Sequence, residues 1–255
     1  MTAVDVHAVV TGKADGPVVL LSNPLGSTHR MWDAQLPELE QHFLVVRYDT
    51  RGHGASPVPE GPYSIDDLAD DVVALLDGLG VETAHLIGLS LGGMTVLRVA
   101  ARNPERVQRL AVLCSGAQLA PAQAWTDRAA LVRAKGAGAV AGSVVERWFT
   151  AEYLDSRPKE RADWERLIGS TPAEGYAGCC EAIAKLDLRE ELSAVTAPTL
   201  VIAGADDPAT PPAKLQEIAD GIADARLLVV PHAAHLANAE RPDVVTPGLL
   251  EHLRS

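Results

Sequence analysis

Only three cysteines occur in the 255 residues, Cys114, Cys179 and Cys180. A small odd number with no C-x-x-C spacing offers neither a disulfide framework nor a zinc clasp. Aromatic residues are scarce at 4%, which leaves few platforms for stacking bases or sugars. Cations are outnumbered, with 22 Lys and Arg against 34 Asp and Glu, a net charge of −12. Nucleic-acid binding needs clustered cations, so nucleic acid is not an expected partner. An anionic ligand would need a locally positive pocket. No apolar run reaches the ~18 residues of a membrane helix. The opening MTAVDVHAVVTG has no basic start leading into a long apolar segment. These absences predict a cytoplasmic protein with no membrane partner.

What the chain does have is apolar residues at 47%, enough for a sizeable core. Short β-branched runs at Val18–Leu21, Leu44–Tyr48, His85–Leu89, Leu110–Cys114, Thr199–Ala203 and Arg226–Val230 read as strands buried on both faces. Helical patterns lie between them. In Ile65–Leu79, Leu68, Val72, Leu75, Leu76 and Leu79 recur at helical spacing, with Ser64 as N-cap and Asp67 three residues on. Gly92–Arg102 is a second helix, stopped by Asn103-Pro104. Alternation of strand and helix predicts an α/β fold with a mostly parallel, doubly wound sheet. The rhythm lapses between 117 and 195, a helical stretch holding Trp125, Trp148 and Trp164. The expectation is a core of residues 1–116 and 196–255, with 117–195 inserted as a helical cap over the sheet edge where ligands bind in open α/β sheets.

Chemistry enters at Gly88-Leu89-Ser90-Leu91-Gly92-Gly93, a G-x-S-x-G sequence between a strand and a helix. That context is a nucleophile elbow, in which small neighbours permit a strained backbone at the serine. Ser90 is thus the expected nucleophile, for acyl transfer through an ester intermediate. A serine needs a base, and the base an orienting acid, in the order Ser, Asp or Glu, His for such a sheet. Three histidines follow Ser90: His232, His235 and His252. His252 reads as exposed in a helical tail. His235 is favoured over His232 because the loop must first clear the last strand. After Thr199–Ala203 stand Asp206 and Asp207. Asp207 is favoured as the acid and Asp206 assigned to the turn. Oxyanion donors are expected from the N–H of Leu91, after the nucleophile, and of Leu25, in the loop Ser22-Asn23-Pro24-Leu25-Gly26. Pro24 has no N–H to give.

Tyr48-Asp49-Thr50-Arg51-Gly52-His53-Gly54-Ala55-Ser56 resembles the D-x-R-G-H-G-x-S segment of α/β-hydrolases, with Arg51 and His53 read as structural. A narrower resemblance is to the 3-oxoadipate enol-lactonases. It rests on Ser22–Gly26 with Met31-Trp32-Asp33, on Val46–Gly54, on Gly88–Met94 and on Arg147-Trp148-Phe149-Thr150, and it continues through Ala203–Pro211 and Ala233-Ala234-His235-Leu236. It spans nearly the whole chain and implies the same acid and base, Asp207 and His235. Pro24, where a small residue such as serine is expected, and His232, where glycine is expected, depart from the pattern.

The resemblance implies an α/β-hydrolase fold and a carboxylic ester hydrolase that opens 3-oxoadipate enol-lactone to 3-oxoadipate without metal or organic cofactor. The partner is then a small anionic lactone, whose carboxylate calls for cations. Arg128, Arg133 and Arg147 are the candidates, with Trp125 and Trp148 as walls around the ring. A carboxylesterase or perhydrolase of the same fold would share every catalytic residue and differ in the cap. A binding module on this fold would keep the pocket and not turn over.

Overall fold

Seven strands form a single sheet in the computed structural model, which describes residues 2–119 and 121–255. The strands are β1 (Ala8–Gly12), β2 (Val18–Ser22), β3 (Leu44–Tyr48), β4 (Ala84–Leu89), β5 (Val107–Leu113), β6 (Thr199–Gly204) and β7 (Ala225–Val230). Their order is β1-β3-β2-β4-β5-β6-β7, with β1 antiparallel and the other neighbours parallel. This is an α/β-hydrolase fold. The central strands β4 and β6 are buried at every residue, as expected where helices cover both faces.

The six expected strands are present with ends shifted by three residues or fewer. The edge strand β1 was not expected. Its side chains are half-buried or exposed, so it carries no hydrophobic alternation to read. It is held instead by its ladder to β3, from Ala8 opposite Tyr48 to Gly12 opposite Leu44.

Helices α1 (Leu36–Leu39), α2 (Ile65–Gly78) and α3 (Leu91–Arg102) return the chain between the first parallel strands. The expected cap of α2 is present. Ser64 Oγ accepts from the Asp67 N–H at 3.2 Å, and the Asp67 carboxylate accepts from the Ser64 N–H at 2.8 Å.

Between β5 and β6 lie α4 (Ala122–Lys135), α5 (Gly138–Trp148), α6 (Ala151–Ser156), α7 (Pro158–Gly169) and α8 (Ala173–Lys185), with no strand among the described residues. In this layer α4 packs on α8 and α5 on α7. The core closes with α9 (Pro212–Gly221), α10 (Ala237–Glu240) and α11 (Pro242–Arg254). No helix among the described residues is long and apolar enough to cross a membrane.

His252 corrects one expectation. It is buried, and its Nε2 lies 2.9 Å from the Leu110 carbonyl of β5. With Val245, Leu249 and Leu253 it falls on the stripe that α11 turns to the sheet.

The path of the chain positions the site. From β2 it moves outward to β3, then crosses back over β2 to β4. The loops leaving β2 and β4 therefore diverge and open a crevice between neighbouring strand ends. Ser22 and Gly88 pair across that gap, so the loop of Leu25 and the turn of Ser90 start level with each other.

Candidate active site

Ser90 sits at the switch point with φ 56° and ψ −117°, a conformation that L-residues avoid unless their surroundings impose it. Here two backbone approaches impose it. A Cβ on Gly88 would stand 2.2 Å from the Gly92 carbonyl oxygen, and one on Gly92 would stand 2.2 Å from that of Ser22. Both glycines of G-x-S-x-G are thus required by packing. The Ser90 N–H donates to the Leu113 carbonyl at 2.9 Å, and its own carbonyl accepts from Ser115 Oγ at 2.8 Å. With its backbone tied at both ends, the Ser90 side chain projects into a cavity at the start of α3. There the Leu91 N–H belongs to the first turn, whose amides have no intrahelical partner.

Asp207 and His235 meet across two loops. His235 Nδ1 lies 2.8 Å from Asp207 Oδ2. The carboxylate also accepts from the Ala209 N–H at 2.8 Å, the Thr210 N–H at 3.0 Å and Thr210 Oγ1 at 2.7 Å. Burial by itself would raise the Asp207 carboxyl, but His235 and the Thr210 donors outweigh it and hold it below the usual carboxylate range. A charged carboxylate only accepts, so His235 Nδ1 bears a proton directed at Asp207. His235 lines the same cavity as Ser90. Its loop is braced by Glu240, whose carboxylate accepts from the N–H groups of Ala234 (2.8 Å) and Thr150 (3.0 Å). Asp206 is exposed at the turn and His232 is exposed at φ 53°. The glycine expected at position 232 would suit that left-handed conformation.

The Leu25 loop comes from the β2 side. Among the described residues its N–H donates to no protein group, and Leu25 itself lines the cavity. Tyr48 anchors the base of the loop, through Ser22 Oγ to its hydroxyl (2.7 Å) and Asn23 Nδ2 to its carbonyl.

The cavity encloses about 200 Å³. Ser90, His235 and Leu25 form its floor. From the helical layer come Trp125, Arg128, Arg147, Trp148 and Tyr176. The Arg128 guanidinium lies over the Trp125 ring, 4.7 Å from its centroid, and its charge acts on the Tyr176 hydroxyl. Burial depresses the Arg147 guanidinium and the neighbouring charge of Arg128 adds to the effect.

Many other guanidiniums are matched by carboxylates, as in Arg51 with Asp71 and Arg98 with Asp66. Among the described residues neither Arg128 nor Arg147 has such a partner. Arg133 is different. It lies outside the cavity lining, bound by Glu174 and Glu181. Five residues separate it from Arg128, about 140° around a helix, a spacing that already sets the two on different faces. Tyr176 had no signal in the sequence, because only the packing of α8 on α4 brings it to the site.

Comparison with known proteins agrees with this geometry. Residues 17–242 match the family described as alpha/beta hydrolase fold. A 3-oxoadipate enol-lactonase from Acinetobacter baylyi is 41% identical over 244 residues, covering 95% of this chain and 91% of its own. The crystal structure of the enol-lactonase from Burkholderia xenovorans LB400 superposes with a TM-score of 0.96 at 40% identity, covering 100% of this chain and 99% of that one. A thermophilic esterase from Thermogutta terrifontis, solved with malate bound, has a TM-score of 0.92 at 30% identity, over 98% and 93% of the two chains.

Proposed function

The chain belongs to the α/β-hydrolase fold family and groups within it with the 3-oxoadipate enol-lactonases, and from that premise we propose that it is a serine hydrolase opening the ring of 3-oxoadipate enol-lactone to 3-oxoadipate, a step in the breakdown of aromatic compounds. Ser90, His235 and Asp207 are its catalytic triad. His235 Nε2 takes the Ser90 proton as Oγ attacks the lactone carbonyl. The N–H groups of Leu25 and Leu91 hold the oxyanion. As the tetrahedral intermediate collapses, the ring C–O bond breaks and the leaving enolate takes the proton from His235, becoming the ketone. Water, deprotonated by His235, then cleaves the acyl-serine.

The observation that carries the substrate class is the pair of guanidiniums, Arg128 and Arg147, which in a strongly acidic protein have no carboxylate partner among the described residues and line the same cavity as Ser90. A half-buried cation without a counter-ion is partly desolvated at some cost. A ligand carboxylate removes that cost through charge-assisted hydrogen bonds. Trp125 and Trp148 flank the ring. In this reading residues 117–195 act as a cap that supplies the anion site and excludes water, while residues 1–116 and 196–255 supply the reaction.

Loss of the ultraviolet absorbance of 3-oxoadipate enol-lactone, followed with the parent chain beside Ser90→Ala, tests the proposal. Fast, serine-dependent loss is expected. Turnover that survives Ser90→Ala overturns the mechanism. Brisk hydrolysis of neutral aryl esters without turnover of the lactone keeps the triad and moves the substrate to a simple ester. That second reading is favoured by the likeness to the Thermogutta esterase.

A further inference from the structure

We infer that His53 is a positioning residue for the oxyanion site, holding through its Nε2 the turn that presents the Leu25 N–H. The inference rests on the serine-hydrolase reading above. Pro24-Leu25-Gly26-Ser27 is a tight turn closed by the Ser27 N–H on the Pro24 carbonyl at 3.3 Å. Gly26 has φ 83° while Leu25 keeps a negative φ, the signature of a type II turn. Type I and type II turns differ by a flip of their central peptide, here Leu25–Gly26. The Leu25 N–H, the oxyanion donor, lies one residue before that peptide, so a group that fixes the peptide also anchors the turn that carries the donor.

The N–H of that central peptide is bonded. The Gly26 N–H donates to His53 Nε2 at 3.0 Å, deep in the protein, with His53 1% exposed. The opposite nitrogen, Nδ1, lies 3.1 Å from the Arg51 carbonyl. A carbonyl only accepts, so Nδ1 bears the proton and Nε2 must be the acceptor. Arg51 is itself immobilised, with Nε and Nη2 each 2.6 Å from the Asp71 carboxylate. A chain of fixed groups thus runs from α2 through Arg51 and His53 to the Gly26 amide. On the far side of the turn, a Cβ on Gly26 would stand 3.0 Å from the Tyr176 ring, so the turn is held between His53 and the helical layer. Burial brings the His53 imidazole down to about 4, and the ring stays a neutral acceptor near neutral pH. Arg51 and His53, parts of the R-G-H-G segment read from sequence as merely structural, are thereby joined to the reaction through backbone geometry.

The test compares His53→Leu, which removes the acceptor, with His53→Gln, whose Oε1 restores one near the Nε2 position. Ser90→Ala is the control, and enol-lactone turnover and capture of a fluorophosphonate are the readouts. His53→Leu is expected to lower kcat about 10- to 100-fold, less than the ~10²- to 10³-fold for losing an oxyanion donor outright, with KM within about twofold. Fluorophosphonate capture, which also builds charge on the oxyanion, should slow in parallel, and His53→Gln should recover most of both. A folded His53→Leu with parental kcat overturns the inference, as does a loss confined to KM or one shared equally by the glutamine variant. If the leucine variant does not fold, the nitrogen-15 spectrum of the His53 imidazole in the parent chain decides. A proton on Nε2 refutes the inference, and a proton on Nδ1 with a coupling to the Gly26 amide upholds it. Activity that persists in Ser90→Ala would instead refute the serine mechanism, which keeps the two failures distinct.

Discussion

At the sheet edge, charges are compensated and the unusual feature is the backbone; in the helical layer above, the backbone is ordinary and the unusual feature is uncompensated charge. Ser90 is held at φ 56° by close backbone packing, and Asp207 is surrounded by donors. Among the described residues Arg128 and Arg147 have no carboxylate partner, one stacked on Trp125 and the other partly buried. The difference separates two demands. Bond cleavage needs atoms held in one geometry, which main chain at strand ends supplies. Selecting a substrate needs an interaction left unmade until the substrate arrives, and side chains on helices can supply that at some cost to stability.

The largest effect should come from breaking the edge. Ser90→Ala is expected to lower kcat/KM by on the order of 10⁵-fold or more while the melting temperature stays within a few degrees, since the substitution keeps the backbone bonds of Ser90 to Leu113 and Ser115. Kinetics and a thermal melt on the same preparation check it. Asp207→Asn should cost about 10⁴-fold in kcat through loss of the correct His235 tautomer.

The helical layer should respond in the opposite sense. Arg147→Met should raise KM for the anionic lactone about 10- to 100-fold, the worth of a hydrogen bond to a charged group, with kcat little changed. The same substitution should leave the fold as stable or more stable, because it removes a desolvated charge beside Arg128. A neutral ester should not show the KM effect, so the ratio of the two substrates isolates the anion site. Equal losses on both substrates would break the division of labour.

Acid should test the core in which the edge is embedded. Burial lowers His53 and His85 each to about 4, against about 6.5 in the unfolded chain. Their contribution is fully present above pH ~6.5. It is lost as pH falls toward 4, because the unfolded chain takes up protons that the folded one refuses, at up to about 1.4 kcal/mol per pH unit for each. Urea unfolding at stepped pH should show the slope, and His85→Gln should flatten it.

The smallest effect should be at Arg133. On the outer face of α4 its bridges to Glu174 and Glu181 are partly exposed, and such pairs contribute about 1 kcal/mol or less. Arg133→Gln should leave KM unchanged, and a rise in KM would return Arg133 to the site.

Strand and turn signals made most of the sheet legible. β4 and β6 are short β-branched or leucine-rich runs, and their identity follows from burial on both faces. The elbow was legible because steric demands are local: glycines two before and two after a serine permit only a few turns. The edge strand β1 was not, since a strand defined by its hydrogen-bond ladder leaves no pattern of side chains. His252 was misread because its place on the buried stripe of α11 depends on which face the sheet covers.

What the sequence determined by itself was therefore everything governed by neighbours along the chain: strand, turn and helix order, Ser90 at its tight turn, and Asp207 and His235 each a few residues past a strand. Tertiary structure alone decided that Arg128 and Arg147 face the cavity while Arg133 binds Glu174 and Glu181, that Tyr176 completes the wall, and that His53 carries the Gly26 amide. Those outcomes depend on distances between segments far apart in the chain. Such distances are set by how helices pack on one another and on the sheet, a quantity that no short stretch of residues encodes.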